Sequence, residues 1–176
     1  MDARITQSRA AILDAFRQRI FEEPYDDIRV SDLISTANIA RSTFYKHFPD
    51  KRAVLIASME HLLIDLAHCA NGSASRTDIE ALVSHLWENR NLGRVIFDSN
   101  AMDQIIRALA EVIEGISNAS KLDCYSLAYY YLGTVKGWIA GEFFADQSDV
   151  IEWLLDLTRF RGYLTLTEGG IHHAQI

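Results

Sequence analysis

The chain has 176 residues and a mass of 19.9 kDa, which allows one ordinary domain or a small domain fused to a larger one. Hydrophobic residues make up 49% and charged residues 23%, proportions that are normal for a chain that folds around an apolar core. The two cysteines, Cys69 and Cys124, lie far apart without a CxxC pair, so we exclude a disulfide framework and a zinc site and expect two buried, reduced thiols.

No charged and then apolar leader opens the sequence, which argues against a signal peptide. The most apolar run, LAYYYLGTVKGWIAGEFFA, is interrupted by Lys136 and Glu142, whereas a membrane span needs about 20 predominantly apolar residues. We therefore expect a cytoplasmic protein that does not engage a membrane.

Charge is distributed unevenly along the chain. Residues 1–55 hold nine Lys and Arg against eight Asp and Glu, a balance of +1, whereas residues 56–176 hold eight against sixteen, a balance of -8. The formal net charge of -7 therefore belongs to the C-terminal part. A head that is less acidic than the body hints at a nucleic-acid partner for the head.

Proline is scarce, with only Pro24 and Pro49, and no segment alternates like a strand, so the sequence predicts an all-α fold. Apolar residues at three- and four-residue spacing predict a first helix, which Pro24 ends; they are Ile5, Ile12, Leu13, Phe16 and Ile20. Ser31 is expected to cap a second helix, and Asn38 to adopt the left-handed conformation of the turn after it.

A third, short helix is predicted to begin at Ala40 or Arg41 and to end at Pro49. Asp50 is expected to cap one long helix over residues 51–69, after which the polar segment NGSAS closes the unit. The later helices are predicted over residues 78–90, 102–117, 123–144 and 148–166, with a broken segment at 91–99.

The second and third helices, joined by a turn near TANIA, predict a helix-turn-helix. On a helical wheel, Phe44 and Phe48 share one face and are expected to pack in the core. The opposite and flanking positions carry polar groups that can donate to phosphate oxygens and base edges, and they are Ser42, Lys46, Thr43 and Tyr45. Lys51 begins the next helix, where free backbone N–H groups favour a phosphate. Taken singly, Lys46, Lys51 and Arg52 would also suit a solvated face.

The run SDLISTANIARSTFYKHFPDKRAVL, together with the amphipathic first helix, resembles the DNA-binding head of the TetR family of transcriptional regulators. The resemblance covers about residues 6–60. It implies DNA contacts by Thr43, Tyr45, His47 and Lys51. It also implies base reading by Arg41, Ser42 and Lys46. The sequence departs from the family at Asn38, where many members carry glycine, and in PYDDIRV, so this corner before the second helix is expected to be built differently.

Gly133, Gly137 and Gly141 are spaced four apart and are predicted to share a helix face that another helix can approach closely. That helix can belong to the same chain or to a second copy. The resemblance favours the second copy, because the family builds a four-helix dimer interface from its last two long helices. The apolar flank of the last helix would then contribute Ile151, Leu154, Leu155 and Thr158.

Several aromatic residues of the C-terminal part can line a ligand pocket or belong to the core, and they are Trp87, Phe97, Tyr125, Tyr129 and Trp138. The resemblance implies that such a pocket senses small, largely apolar molecules. The histidines lack metal spacing to one another or to cysteine, so we predict no metal site and no cofactor. The sequence holds no P-loop, nucleophile elbow or HExxH motif, which argues against an enzyme.

These observations predict a helix-turn-helix DNA-binding domain over residues 1–50, a connecting helix over 51–70 and a C-terminal helical dimerisation and effector domain over 71–176. The expected function is that of a homodimeric repressor on a palindromic DNA operator, with a small molecule or a protein as the candidate effector. Two alternatives stay open: an interaction adaptor whose helix-turn-helix is vestigial, and an activator with the same fold.

Overall fold

The computed structural model describes residues 3–97 and 99–156, and within these two ranges it contains helices and no strand. The all-α prediction is confirmed for this part of the chain. Its ten helices are α1 (Ala3–Glu22), α2 (Val30–Thr36), α3 (Arg41–His47), α4 (Lys51–Ser58), α5 (Glu60–Asn71), α6 (Arg76–Glu88), α7 (Arg90–Phe97), α8 (Met102–Ile116), α9 (Lys121–Ala140) and α10 (Gln147–Leu155). None of these ten is by itself long and apolar enough to cross a membrane, although the bent pair α4 and α5 meets that criterion by length and composition.

Helix α1 is buried along its predicted apolar stripe only from Ile12 onward. Ile12, Phe16 and Ile20 are fully buried, whereas Ile5 is 54% exposed. The helix packs against α2, α3 and α4, and also against α7 of the C-terminal part. It therefore joins the helix-turn-helix to the rest of the molecule.

The helix-turn-helix forms as predicted, with one correction at its start. Helix α2 begins at Val30, so Ser31 lies inside the first turn and does not cap the helix. Arg29 is the N-cap residue, and its backbone N–H donates a hydrogen bond of 2.9 Å to the carboxylate of Asp32 at the third helical position. Asn38 adopts the expected left-handed conformation with φ 51°, and α3 follows from Arg41.

The single helix predicted over residues 51–69 is wrong, because Met59 separates α4 from α5 and the two axes are bent by 60°. Asp50 does cap α4, accepting a hydrogen bond of 2.8 Å from Ala53 N–H. The Ser58 hydroxyl donates to the Leu55 carbonyl oxygen at 2.6 Å, and Met59 N–H turns instead to the carbonyl oxygen of Ile56. A serine that bonds back to the preceding turn in this way bends helices.

The prediction of a broken segment over residues 91–99 is also wrong, because α7 runs from Arg90 to Phe97. Gly93 lies inside this helix and has a packing role. A Cβ atom at this position would come within 2.6 Å of Ile139 Cδ1 in α9. The absence of a side chain thus lets α7 lie close to α9, and this contact depends on a residue 46 positions further along the chain.

The buried apolar residues form one continuous core that extends from Ile12 in α1 to Leu154 in α10. Helix α8 packs against α9, α5 and α4, and α10 packs against α6. Cys69 and Cys124 are both buried, free thiols. Burial raises the pKa of Cys69 to about 12, so this thiol stays protonated at neutral pH. The head (α1–α3) is thus packed directly on the body (α4–α10).

Candidate nucleic-acid interface

Helix α3 is held on the head by its apolar face. Phe44 and Phe48 are buried as predicted, with ring centroids 6.2 Å apart, and Leu33 of α2 is buried beside them in the same core. The backbone N–H groups of Thr43 and Phe44 bond to the carbonyl oxygen of Ala40, which starts the helix. This anchoring leaves the opposite face of α3 directed away from the core.

The outward face of α3 carries the residues predicted to contact DNA. Four of them are exposed, namely Arg41, Ser42, Tyr45 and Lys46, and two are half-buried, namely Thr43 and His47. The Arg41 guanidinium lies over the Tyr45 ring, 5.5 Å from its centroid, and donates to the Tyr45 hydroxyl at 3.3 Å. Stacking on an aromatic ring restricts a long side chain, so Arg41 is partly pre-organised at the start of α3.

The local charge of this surface is opposite to that of the whole chain. Residues 38–55 contain four Lys and Arg against one Asp, a balance of +3 in a chain of net charge -7. The single acid, Asp50, is occupied as the cap of α4. A compact positive surface on an acidic protein attracts a polyanion at one place and repels it elsewhere.

Lys51 makes contacts that the sequence did not predict. Its ammonium donates to the carbonyl oxygens of Tyr25 at 2.6 Å and Asp26 at 3.2 Å, and it lies 4.3 Å from the centroid of the Tyr25 ring. Burial lowers the pKa of Lys51, although nearby Asp26, Asp27 and Glu23 oppose this change. An ammonium has three N–H donors, so one is left for a phosphate.

Two further residues of this region were missed by sequence reasoning. Tyr25 is buried under Lys51, and the available signal was an aromatic residue directly after Pro24 in an otherwise acidic segment. Arg9 of α1 lies over the Phe48 ring at 5.7 Å and pairs with Glu60 at 3.2 Å. Nothing in the spacing of Arg9 distinguishes it from an ordinary surface arginine.

The three glycines predicted to form one stripe have different environments. Gly133 is exposed, with no atom within 4 Å of an added Cβ, whereas a Cβ at Gly137 would come within 2.8 Å of Phe143 Cε1. Gly141 ends α9 in the left-handed conformation, with φ 79°. Only Gly133 therefore faces outward on the helix. It continues an exposed apolar face of α9 that includes Leu122, Tyr125 and Tyr129.

The predicted residues of the last helix are also dispersed. Leu154 is buried in the core, and Ile151 and Leu155 are half-buried on α10. Thr158 lies outside the described residues. Of the predicted interface residues in the described part of the chain, Gly133, Gly141, Ile151 and Leu155 thus retain surface that a second copy can contact.

The five aromatic residues predicted to line a pocket do not share one cavity. Trp87 and Trp138 stack on each other at 5.2 Å, and Trp138 Nε1 donates to the carbonyl oxygen of Ala145. Tyr125 and Tyr129 lie on the outer face of α9. Phe97 alone of the five borders a cavity of about 400 Å³ between α1, the α4–α5 break, α6, α7 and α9.

This cavity has an apolar wall and a polar rim. Its other lining residues include Phe16, Met59, His61, His85 and Leu92. Sequence reasoning missed it because its walls come from five separate elements. Among the described residues, no three His, Cys, Asp or Glu side chains are grouped so as to hold a metal ion.

Comparison with known proteins adds two findings. The family model of bacterial regulatory proteins of the tetR family matches residues 12–58, which run from α1 to the end of α4. The HTH-type transcriptional regulator EthR from Mycobacterium tuberculosis strain H37Rv and from Mycobacterium bovis is 40% identical over 53 residues. That match covers 30% of this chain and 24% of EthR, so it spans about a quarter of the curated relatives.

Similarity to solved structures extends over more of the chain. A TetR transcriptional regulator from Streptococcus agalactiae 2603V superposes with a TM-score of 0.57 at 21% identity, over 89% of this chain and 96% of that one. The dihydroxyacetone kinase operon activator DhaS gives a TM-score of 0.45 at 23% identity, over 92% and 95% of the two chains, a similarity too low to indicate a shared function. The family model thus coincides with the segment from α1 to α4 that holds the helix-turn-helix, and the fold of the described residues is shared with a TetR transcriptional regulator.

Proposed function

We propose that this protein is a sequence-specific DNA-binding transcriptional regulator that acts in the cytoplasm as a homodimeric repressor. Residues 1–50 bind the operator, and residues 71–176 carry dimerisation and effector sensing. Residues 51–70 connect these two domains. The observation that carries the proposal is the outward face of α3. Its hydrogen-bond donors are exposed, while Phe44 and Phe48 on the opposite face are buried in the core.

The dimensions of α3 suit the major groove. An α-helix with its side chains is about 10–12 Å in diameter, and the major groove of B-DNA is about 12 Å wide, so α3 can enter it. Arg41 and Ser42 at the first turn would then meet base edges. Lys46, for which the resemblance implied base reading, lies in the last turn of α3. We assign it, with the remaining N–H of Lys51, to phosphate oxygens, which position the helix without reading sequence.

Dimerisation follows from the small size of the reading surface. One helix of seven residues contacts few base pairs, and a two-fold dimer doubles these contacts on two half-sites about 34–36 Å apart or a multiple of that distance. The exposed face of α9 supports the dimer, because Leu122 is 76% exposed and Tyr129, two turns further along the same face, is 53% exposed. Large apolar side chains in one patch mark a protein contact surface.

The cavity beside Phe97 supports a small molecule as the effector. It is bounded on one side by α1 of the head and on the other by α6 and α7 of the body. An occupant would therefore contact both units and favour one arrangement of the heads over another, in proportion to its differential affinity. A protein effector would act on the outer surface of the body instead.

The function is tested by selecting binding sites from a random pool of duplex DNA with the purified full chain, and then measuring affinity between about 50 and 200 mM salt. Selected sites with two inverted half-sites are expected. Lys46→Ala should weaken binding to all sequences and reduce the salt slope by about one. Lys121→Ala, which removes an exposed lysine of the body, is the matched control and should change neither quantity.

Failure of the wild-type dimer to retain any duplex at low salt would exclude the operator function and favour the adaptor. Repression is distinguished from activation by transcription from a promoter that carries a selected site. Lower transcription in the presence of the protein is expected.

A further inference from the structure

The corner between α1 and α2, residues 24–27, is a hydrogen-bonded turn. Asp27 N–H donates to the Pro24 carbonyl oxygen at 3.0 Å, and Ile28 N–H reaches the same oxygen at 3.4 Å. The turn exposes the carbonyl oxygens of Tyr25 and Asp26 on one side, where the Lys51 ammonium binds both. The position of this ammonium is therefore set by the backbone of the corner.

The other side of the corner is bound by the body. The Tyr25 hydroxyl donates to Gln104 Oε1 at 3.1 Å, and Asn100 Nδ2 donates to Asp26 Oδ2 at 2.7 Å. Gln104 belongs to the first turn of α8 and Asn100 immediately precedes that helix. Both contacts therefore come from the N-terminal end of one body helix.

Tyr25 is fixed by its surroundings. The side chain is 3% exposed, and its ring meets the Phe16 ring of α1 edge-on, with centroids 6.3 Å apart. Burial, with nearby Asp50 and Asp26, raises the pKa of the hydroxyl, so it remains a donor through the neutral range. A buried hydroxyl that loses its acceptor destabilises the fold, so the position of Gln104 affects where Tyr25 can lie.

Tyr25 thus contacts both Lys51 of the proposed DNA-contacting surface and Gln104 of the body. We propose that Tyr25 is a positioning residue, which places the Lys51 ammonium for a DNA phosphate only while the N-terminal end of α8 stays in contact with the corner. This inference rests on the proposed DNA-binding function and adds a route by which the body regulates it.

The route works through loss of directional bonds. A displacement of α8 by about 1 Å takes the Tyr25–Gln104 and Asp26–Asn100 pairs beyond hydrogen-bond distance. The turn then loses its restraint on the body side, and the two carbonyl oxygens no longer hold Lys51 in one place. Because α8 packs on α5 and α9, rearrangement at either helix reaches the corner.

The inference is tested with the full chain and its selected operator, at a temperature well below the unfolding transition. Tyr25→Phe and Gln104→Ala should each weaken operator binding about three- to tenfold, the equivalent of one neutral hydrogen bond. Gln104→Glu keeps an acceptor oxygen and should restore most of the affinity. Gln147→Ala, an exposed glutamine at the start of α10, is the matched control.

Coupling to Lys51 separates positioning from general stability. In a Lys51→Ala background, Tyr25→Phe should cause no further loss of operator affinity, although each substitution by itself lowers the unfolding midpoint. The inference is overturned, while operator binding stands, if Tyr25→Phe and Gln104→Ala both bind the operator as tightly as the wild type. It is also overturned if the losses of affinity caused by Tyr25→Phe and Lys51→Ala add fully. If the wild-type chain itself does not bind DNA, the proposed function and the inference both fail.

Discussion

Gly93 and Ile139 determine how closely α7 lies against α9. A Cβ atom added to Gly93 would come within 2.6 Å of Ile139 Cδ1, a distance that real Cβ contacts do not show. Ile139 is buried, so an added Cβ would require its side chain to change rotamer or α7 to shift away from α9. Both residues also border the cavity beside Phe97. The absence of a side chain at one position therefore shapes both the packing of the body and the candidate effector site.

Gly93→Ala is expected to lower the free energy of unfolding by about 1 kcal/mol. Overpacking of a core costs about 1–3 kcal/mol, and the better helix propensity of alanine returns about 0.5–1 kcal/mol. Urea unfolding followed by circular dichroism measures the change. Gly115→Ala is the control, because nothing lies within 4 Å of its added Cβ, and it should stabilise the protein. Equal effects of the two substitutions would contradict the close approach of α7 to α9.

Arg41→Ala should relax operator specificity at one base pair of each half-site. A bidentate contact from arginine to guanine discriminates against other bases by about 1–3 kcal/mol, so the selected sites should lose one preferred guanine. Arg41→Lys should not restore the preference, because an ammonium lacks the planar fork that matches guanine and stacks on Tyr45. Repeating the site selection with each variant checks this. An unchanged preference in Arg41→Ala would assign base reading elsewhere.

The exposed face of α9 predicts a change of oligomeric state. Leu122→Lys combined with Tyr129→Lys should weaken the dimer by at least tenfold, since charges replace apolar surface at the proposed contact. Sedimentation velocity over a range of concentrations measures the dissociation constant. Phe21→Lys, which changes an exposed apolar residue of α1, is the matched control and should leave the dimer intact. A double variant that dimerises like the wild type would place the interface on another surface.

The cap of α10 predicts a contribution to stability that depends on pH. The Ser148 hydroxyl and then the backbone N–H of Asp149 hold the pKa of Asp146 below its usual range. The folded state thus keeps this carboxylate charged where the unfolded chain already binds a proton. The stabilisation is complete above the unfolded pKa of about 4 and is lost as the pH falls through the lower, folded pKa.

Asp146→Asn tests this contribution, because asparagine caps a helix about as well as aspartate but does not titrate. The variant should match the wild type in urea unfolding at pH 7 and lose less stability between about pH 5 and pH 3. Ser148→Ala removes the largest cause of the lowered pKa of Asp146 and should also reduce the loss of stability over this pH range. An identical acid dependence in all three proteins would contradict the assignment.

The sequence alone determined the features that depend on neighbours a few residues apart. The bounds of α3, the burial of Phe44 and Phe48 and the left-handed Asn38 follow from helical spacing, proline and turn chemistry. The all-α fold has the same origin, since periodicity and the scarcity of proline are local properties. The helix-turn-helix could therefore be recognised from the order of its residues.

Features that depend on residues distant in the chain became visible only once the helices were packed together. Helical spacing placed the three glycines on one face, but Gly137 packs against Phe143 and Gly141 ends the helix. Lys51 bonds to a corner 25 residues earlier, and Tyr25 reaches a body helix 79 residues later. Positions on one face of an isolated helix look equivalent in the sequence. Which of them becomes buried depends on the residues that pack against them, and those residues lie elsewhere in the chain.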